Sequence, residues 1–117
     1  MRVLSISSQV VWGPVGNSAA IPALQAKGHE VLGLPTIPLS NHPGHGLPAG
    51  FRTDAADMAR MFASLEALGA LHQLDAVLTG YFASAGQGAE GAAPLRRVHS
   101  PYLLGGPVLG RPRPLRP

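Results

Sequence analysis

The sequence predicts an α/β fold, a parallel sheet wound on both faces by helices. Three observations carry that expectation. Short apolar runs alternate with helix-like segments in strand–helix–strand–helix–strand order over residues 1–90. Glycines stand where the helix-like segments should stop. The third strand-like run holds Ala76, Val77 and Leu78 in sequence, as in a strand buried on both faces. At 117 residues the chain has room for one domain with a modest core.

Residues 2–8, RVLSISS, form the first strand candidate, followed at once by the glycine-bearing turn WGPVGNS over 12–18. Asn17 or Ser18 can cap a helix running to Lys27, because a short side-chain oxygen accepts the free amide hydrogens of a first turn. Lys27 suits the negative end of that helix and Gly28 its left-handed stop. Pro22 lies beyond the first turn and predicts a slight bend. Residues 29–34, HEVLGL, read as a second strand. From Val31 to Phe51 no Lys, Arg, Asp or Glu occurs, while Pro35, Pro38, Pro43 and Pro48 punctuate the run. That spacing opposes a central ladder and predicts an extended excursion over the domain edge. The clearest helix is 54–68. Asp54 can cap it, Asp57 sits in its first turn, and Met58, Met61, Phe62, Leu65 and Leu68 recur on one face. Gly69 should end it, and residues 75–81, DAVLTGY, form the third strand.

Charge divides the chain. Residues 1–90 hold four basic residues (Arg2, Lys27, Arg52, Arg60) and all six acids, whereas residues 91–117 hold five arginines and no acid. The high isoelectric point therefore belongs to the tail, and a basic nucleic-acid-binding face on the folded part is not expected. Residues 91–117 also carry six prolines and four glycines. The resulting division is a folded part, 1–90, and an irregular Arg/Pro/Gly-rich tail, 91–117, with no strand or helix period beyond YLLGG at 102–106. No cysteine is present, so disulfides and thiolate chemistry are excluded. The uncharged stretch from Val3 to Ala26 is broken by polar residues and prolines, and VLSI is too short for a secretory apolar region. A cytoplasmic protein without a membrane span is the expectation.

Several constellations could carry chemistry. A strand delivering a glycine turn to a helix start can cradle an anion, but Gly13-x-x-Gly16-Asn17-Ser18 matches neither familiar phosphate motif, and an ordinary βα turn is the plainer reading. His42 and His45 in SNHPGHG (40–46) lack a cysteine or nearby carboxylate to complete a metal site. That stretch reads as a substrate-covering loop or as a plain surface loop. Tyr81 and Phe82 fall at the carboxyl edge where open α/β sheets place ligands, either to stack on a flat ring or to cap the core. The methionine and phenylalanine stripe of 58–62 reads as core. Arg111-x-x-Pro114-x-x-Pro117 fits a polyproline-reader ligand, but the composition of GC-rich DNA read out of frame is the stronger explanation.

Three blocks then converge. RVLSISSQVVWGPVGNSAA (2–20), LPTIPLSNHPGHG (34–46) and LDAVLTGYFASAGQG (74–88) resemble, in order and interval, the amino-terminal part of the pyridoxal kinases of the ribokinase-like superfamily. The resemblance implies an incomplete ribokinase-like, Rossmann-like parallel sheet. It implies ATP-dependent phosphorylation of the 5′-hydroxymethyl group of pyridoxal, pyridoxine or pyridoxamine, with Mg²⁺, often K⁺, and commonly a homodimer. On the same footing Ser8 matches the serine that hydrogen-bonds the substrate ring, Val15 an apolar contact in the glycine turn, and Ile37 and Leu39 the lining of the ring pocket. Tyr81 matches the pocket tyrosine. Pro43 stands where the family has threonine after Ser-Asn-His, which removes a hydroxyl donor. Gly106 occupies the place of the nucleotide- and metal-side aspartate in YLLGGPVLG. Nothing after Gly110 matches, and no catalytic base is assigned within the chain. The pattern reads as a kinase truncated or frame-shifted after about residue 90. Its alternative function is an inactive fragment, or a weak vitamer-binding module without the ATP site.

Overall fold

The structure, a computed structural model, describes residues 1–80, 84–92 and 102–104. In chain order these form β1 (Arg2–Trp12), α1 (Asn17–Ala26), β2 (Glu30–Asn41), a 3-10 turn (Pro43–His45), α2 (Ala55–Ala67), β3 (Ala76–Thr79), α3 (Ala85–Ala92) and β4 (Tyr102–Leu104). The described strands make one sheet of order β2-β1-β3-β4. Each neighbouring pair is parallel. The expected parallel α/β fold is what the residues build.

The period-2 alternation of β1 decides the layering. Leu4 and Ile6 join Leu34, Met58, Phe62, Leu71, Leu74 and Val77 in the core. Their face of the sheet is the one α2 covers. The intervening Ser5 is fully buried and is held by Asn17 of α1. Helices thus occupy both faces, as two-sided burial of a parallel sheet requires. At the amino-terminal edge of the sheet, Arg2 ties the strands together. Its backbone N–H donates to Asp75 at 2.7 Å and its guanidinium meets Glu30 at 3.0 Å.

Several local expectations are corrected. Neither Asn17 nor Ser18 caps α1, whose N-cap is Gly16. Asn17 is buried and its amide donates to the Ser5 and Leu34 carbonyls, both at 3.3 Å, while accepting from Ser5 Oγ at 2.7 Å. Ser18 Oγ instead bonds both backbone groups of Val10. Tertiary partners outcompeted the local cap. Asp54 does occupy the N-cap of α2, but without a side-chain capping bond. On α2, Met58 and Phe62 are buried as expected, but Met61 is partly exposed and Leu68, one residue past the helix, is 79% exposed. Helices α1 and α2 do end at left-handed glycines, Gly28 with φ 86° and Gly69 with φ 80°.

The largest correction concerns β2. The expected strand of six residues is twelve long and contains Pro35 and Pro38. Both prolines pair with β1, opposite Ser7 and Gln9. They are tolerated because β2 lies at the edge of the sheet, where one side of the strand needs no donors. Helix α3 was not anticipated, since glycines 86, 88 and 91 depress helix propensity.

Candidate functional site at the carboxyl ends of the strands

In a sheet of order β2-β1-β3-β4 the chain winds from β1 first to one side and then to the other, so the topological switch point lies between β1 and β3. Ligands of open α/β sheets bind outside the carboxyl ends of the strands at such a point. Here β1 and β3 approach closely. The Gly80 N–H donates to the Ile6 carbonyl at 2.8 Å, and a Cβ on Gly80 would collide with the Ser7 hydroxyl.

Beyond Ser7 the end of β1 is folded over by its own turn. Gln9 and Gly16 form an antiparallel bridge. Gly16 has φ 56°, and any Cβ there would overlap the carbonyl and hydroxyl of Ser8, so only glycine satisfies both constraints. Ser8 is therefore half-buried beneath the turn, and Val15, also half-buried, stands next to the glycine that covers it. The amides of Val15, Ser18, Ala19 and Ala20 donate to carbonyls of the turn itself. These four are engaged internally, which favours the ordinary βα turn over an anion cradle.

Opposite Ser8 the ladder is interrupted. Ser7 pairs with Pro35 and Gln9 with Pro38, leaving an extra residue on β2. This β-bulge lets the consecutive residues Thr36 and Ile37 both be buried. Leu39, half-buried, follows level with Val10. Ile37 and Leu39 thus line the stretch of β2 beside Ser8 and the glycine turn. The chain then loops out and returns antiparallel to its own strand. Ser40 N–H donates to Ala49 O at 2.7 Å, Phe51 N–H to Pro38 O at 3.2 Å, and Leu39 bridges Gly50. We refer to residues 36–53 as the flap.

Pro43, half-buried, opens the 3-10 turn of the flap. The turn lies beside the first glycine loop: His42 N–H donates to the Trp12 carbonyl at 2.9 Å, and a Cβ on Gly13 would stand 3.0 Å from His42 Cβ. His45 stacks on Trp12 with ring centroids 4.3 Å apart, and His42 meets His45 edge-on at 5.8 Å. His42 Nδ1 accepts from the Gly44 N–H. Among the described residues no three His, Cys, Asp or Glu stand together as a metal site.

Ser8, Val15, Ile37, Leu39 and Pro43 thus belong to β1, β2 and the two adjoining loops at one end of the sheet. Tyr81 and Gly106 lie outside the described residues. Sequence reasoning missed Gln87 of α3. It is 1% exposed, and its Nε2 donates to the Thr36 carbonyl at 2.8 Å and to the Thr53 carbonyl. Its one signal was a long polar side chain in the otherwise small-residue run ASAGQGA. A separate apolar groove of about 440 Å³ lies between β2 and α2, lined by residues including Val31, Leu32, Leu34, Met61 and Leu65. It opens beside the amino-terminal half of β2, away from the strand ends. The convergent chemistry is not there.

The sheet order, the covered glycine turn and the flap define an open parallel α/β domain with a candidate site at the carboxyl ends of its strands. No protein-family model matches the chain. Curated relatives do. A pyridoxal kinase PdxY of Burkholderia thailandensis is 38% identical over 120 residues, covering 99% of this chain and 42% of the relative. The Corynebacterium diphtheriae PdxY is 44% identical over 81 residues, covering 69% of this chain and 29% of the relative. Among solved structures, pyridoxal kinase from Entamoeba histolytica superposes with a TM-score of 0.86 at 29% identity, over 94% of this chain and 41% of that one. The Leishmania donovani enzyme in complex with ADP and pyridoxine gives 0.76 at 33% identity, over 94% and 40%. By sequence and fold the chain is similar to pyridoxal kinases, and it spans about two fifths of the length of these relatives.

Proposed function

We propose that this chain carries the vitamer side of an ATP-dependent pyridoxal kinase, a cytoplasmic phosphotransferase acting on the 5′-hydroxymethyl group of pyridoxal, pyridoxine or pyridoxamine. The observation that carries the reading is the pairing of a polar group with an apolar wall at the strand ends: Ser8 under the Gly16 turn, facing the bulge at Thr36 and Ile37. A flat, polar-edged ring needs such a site, with a small number of placed polar groups in an apolar lining. Solved relatives bound to ADP with pyridoxine or pyridoxamine support the same ligand classes. Ser8 would hydrogen-bond the ring, Val15, Ile37 and Leu39 would pack on its faces, and Tyr81 would close the β3 side. Pro43 contributes shape without a hydroxyl. In this reading residues 1–90 are the kinase-like part and 91–117 the tail, and the family's homodimer is its expected assembly.

Nucleotide, Mg²⁺ and K⁺ belong to the proposal through the family alone, and Gly106 supplies no carboxylate at the nucleotide-side position. Phosphoryl transfer rests on positioning and charge stabilisation around the phosphates, with a base oriented on the attacking hydroxyl. A polypeptide of residues 1–117 should therefore bind vitamers without turning them over. Calorimetry with pyridoxal and a coupled assay with ATP, Mg²⁺ and K⁺ test the two halves of that statement. Ser8→Ala should weaken pyridoxal binding by about 0.5–1.5 kcal/mol, the net worth of one hydrogen bond. Equal affinity in a folded Ser8→Ala protein would make Ser8 structural only, and absence of any vitamer binding would overturn the reading.

A further inference from the structure

We infer that Gln87 is a positioning residue that holds both ends of the flap and thereby sets the wall of the vitamer site. The ligand part of this inference rests on the reading proposed above; the clamp itself does not. The flap carries Ile37, Leu39 and Pro43, three of the residues placed at the site. It begins at the β2 bulge and ends at Thr53, just before α2. A bulge removes a residue from the ladder and leaves its backbone groups seeking partners. The Thr36 carbonyl is one such group. It accepts from the Thr53 N–H at 2.9 Å and from Gln87 Nε2 at 2.8 Å. The other hydrogen of the same amide reaches the Thr53 carbonyl. One side chain on α3 therefore bridges the entry and exit of the flap, 51 residues away in sequence at one contact and 34 at the other.

The amide orientation is set by chemistry. Both partners are carbonyl oxygens, which accept only, so the NH₂ end must face them. Burial of Gln87 to 1% exposure keeps water from substituting for it. The helix itself is seated close by, since a Cβ on Gly86 would lie 3.1 Å from Ala55 Cβ at the start of α2. Ser84 Oγ accepts the Gln87 N–H at 3.1 Å and steadies the first turn. Nothing in this arrangement touches the ring position directly. Its effect must pass through Thr36 and Thr53 to Ile37 and Leu39.

The test uses the whole 117-residue chain with Gln87→Met, which keeps the length of the side chain and removes both donors. Amide hydrogen exchange at Thr53 and Phe51 should accelerate on the order of tenfold, while Ile6 and Val77 in the inner strands stay protected. Pyridoxal affinity should fall on the order of tenfold at a temperature where circular dichroism shows both proteins fully folded. Equal acceleration at inner strands and flap would show a merely structural residue and overturn the inference. So would unchanged exchange at Thr53, or accelerated flap exchange with unchanged pyridoxal affinity. If the parent chain binds no pyridoxal, the vitamer reading fails, while selective acceleration at Thr53 still supports the clamp. Should Gln87→Met fail to fold, Gln87→Asn answers the same question. Its amide cannot span both carbonyls, so selective flap acceleration supports the clamp and parent-like exchange overturns it.

Discussion

The inner strands and the flap are ordered by different forces. β1 and β3 pair Val3 to Ile6 with Ala76 to Thr79, nearly all buried, and water exclusion by apolar side chains holds them. The flap has few large buried side chains beyond Ile37. It is held by donors reaching backbone carbonyls: Thr53 N–H and Gln87 Nε2 to Thr36, Thr53 Oγ1 to Pro35 at 2.7 Å, Phe51 N–H to Pro38. Apolar burial is roughly additive in area and tolerant of shape, whereas each of these polar links is specific to one partner. The inner strands thus supply a platform, and the flap supplies a wall of the proposed site. An outer segment held in this way can be loosened without unfolding the sheet.

The comparison breaks most severely in the core. Leu4 is fully buried at the centre of the α2-facing cluster, so Leu4→Ala should cost about 2–5 kcal/mol. Against the ~5–15 kcal/mol typical of a small domain that is a large fraction. Urea denaturation should show a lower midpoint, with core and flap amides losing protection together. A loss confined to the flap would contradict the division drawn here.

Asn17 tests the joint between the two regions, because it links α1 to Ser5 of β1 and to Leu34 of β2 just before the bulge. Asn17→Ala leaves the buried Ser5 hydroxyl without that acceptor, and should destabilise by about 1–3 kcal/mol in denaturant melts. A cap-only role would instead be matched by Asn17→Ser, since serine caps as well as asparagine does. The structure expects serine to rescue little, its hydroxyl being too short to span Ser5 and Leu34.

These two regions were also unequally legible in the sequence. Leu4, Ile6, Met58, Phe62 and Val77 announce themselves by periodicity, and the parallel order of the strands followed from their alternation with helices. Residues such as Asn17 and Gln87 carry no periodic signal, because their partners lie 12 to 51 residues away and are mostly backbone atoms. Asn17 read as a cap for that reason. β2 read as half its length because proline normally ends a ladder, and only its place at the sheet edge reverses that rule. Ser8, Val15, Ile37, Leu39 and Pro43 came from resemblance to a family, and the geometry then brought them to one end of the sheet. Gln87 stood inside a resembling block but had no role until the bulge was visible.

The smallest effect is the sharpest probe of the comparison. Thr53→Val keeps the shape of the side chain and removes only the hydroxyl that donates to the Pro35 carbonyl. The Thr53 N–H bond to Thr36 and the Gln87 bridge remain, so the flap keeps two of its three links at that end. The loss should be about 0.5–1.5 kcal/mol, the net worth of one hydrogen bond. It should be felt locally, since Thr53 lies between β2 and α2 and outside the core cluster. Amide exchange should quicken several-fold at Thr53 and Phe51, with Ile6 and Val77 unchanged and the thermal midpoint nearly so. A fall in midpoint as large as that of Asn17→Ala would mean that the flap and the sheet unfold as one unit. The polar links of residues 36–53 would then contribute to the stability of the whole domain rather than to the shape of its edge.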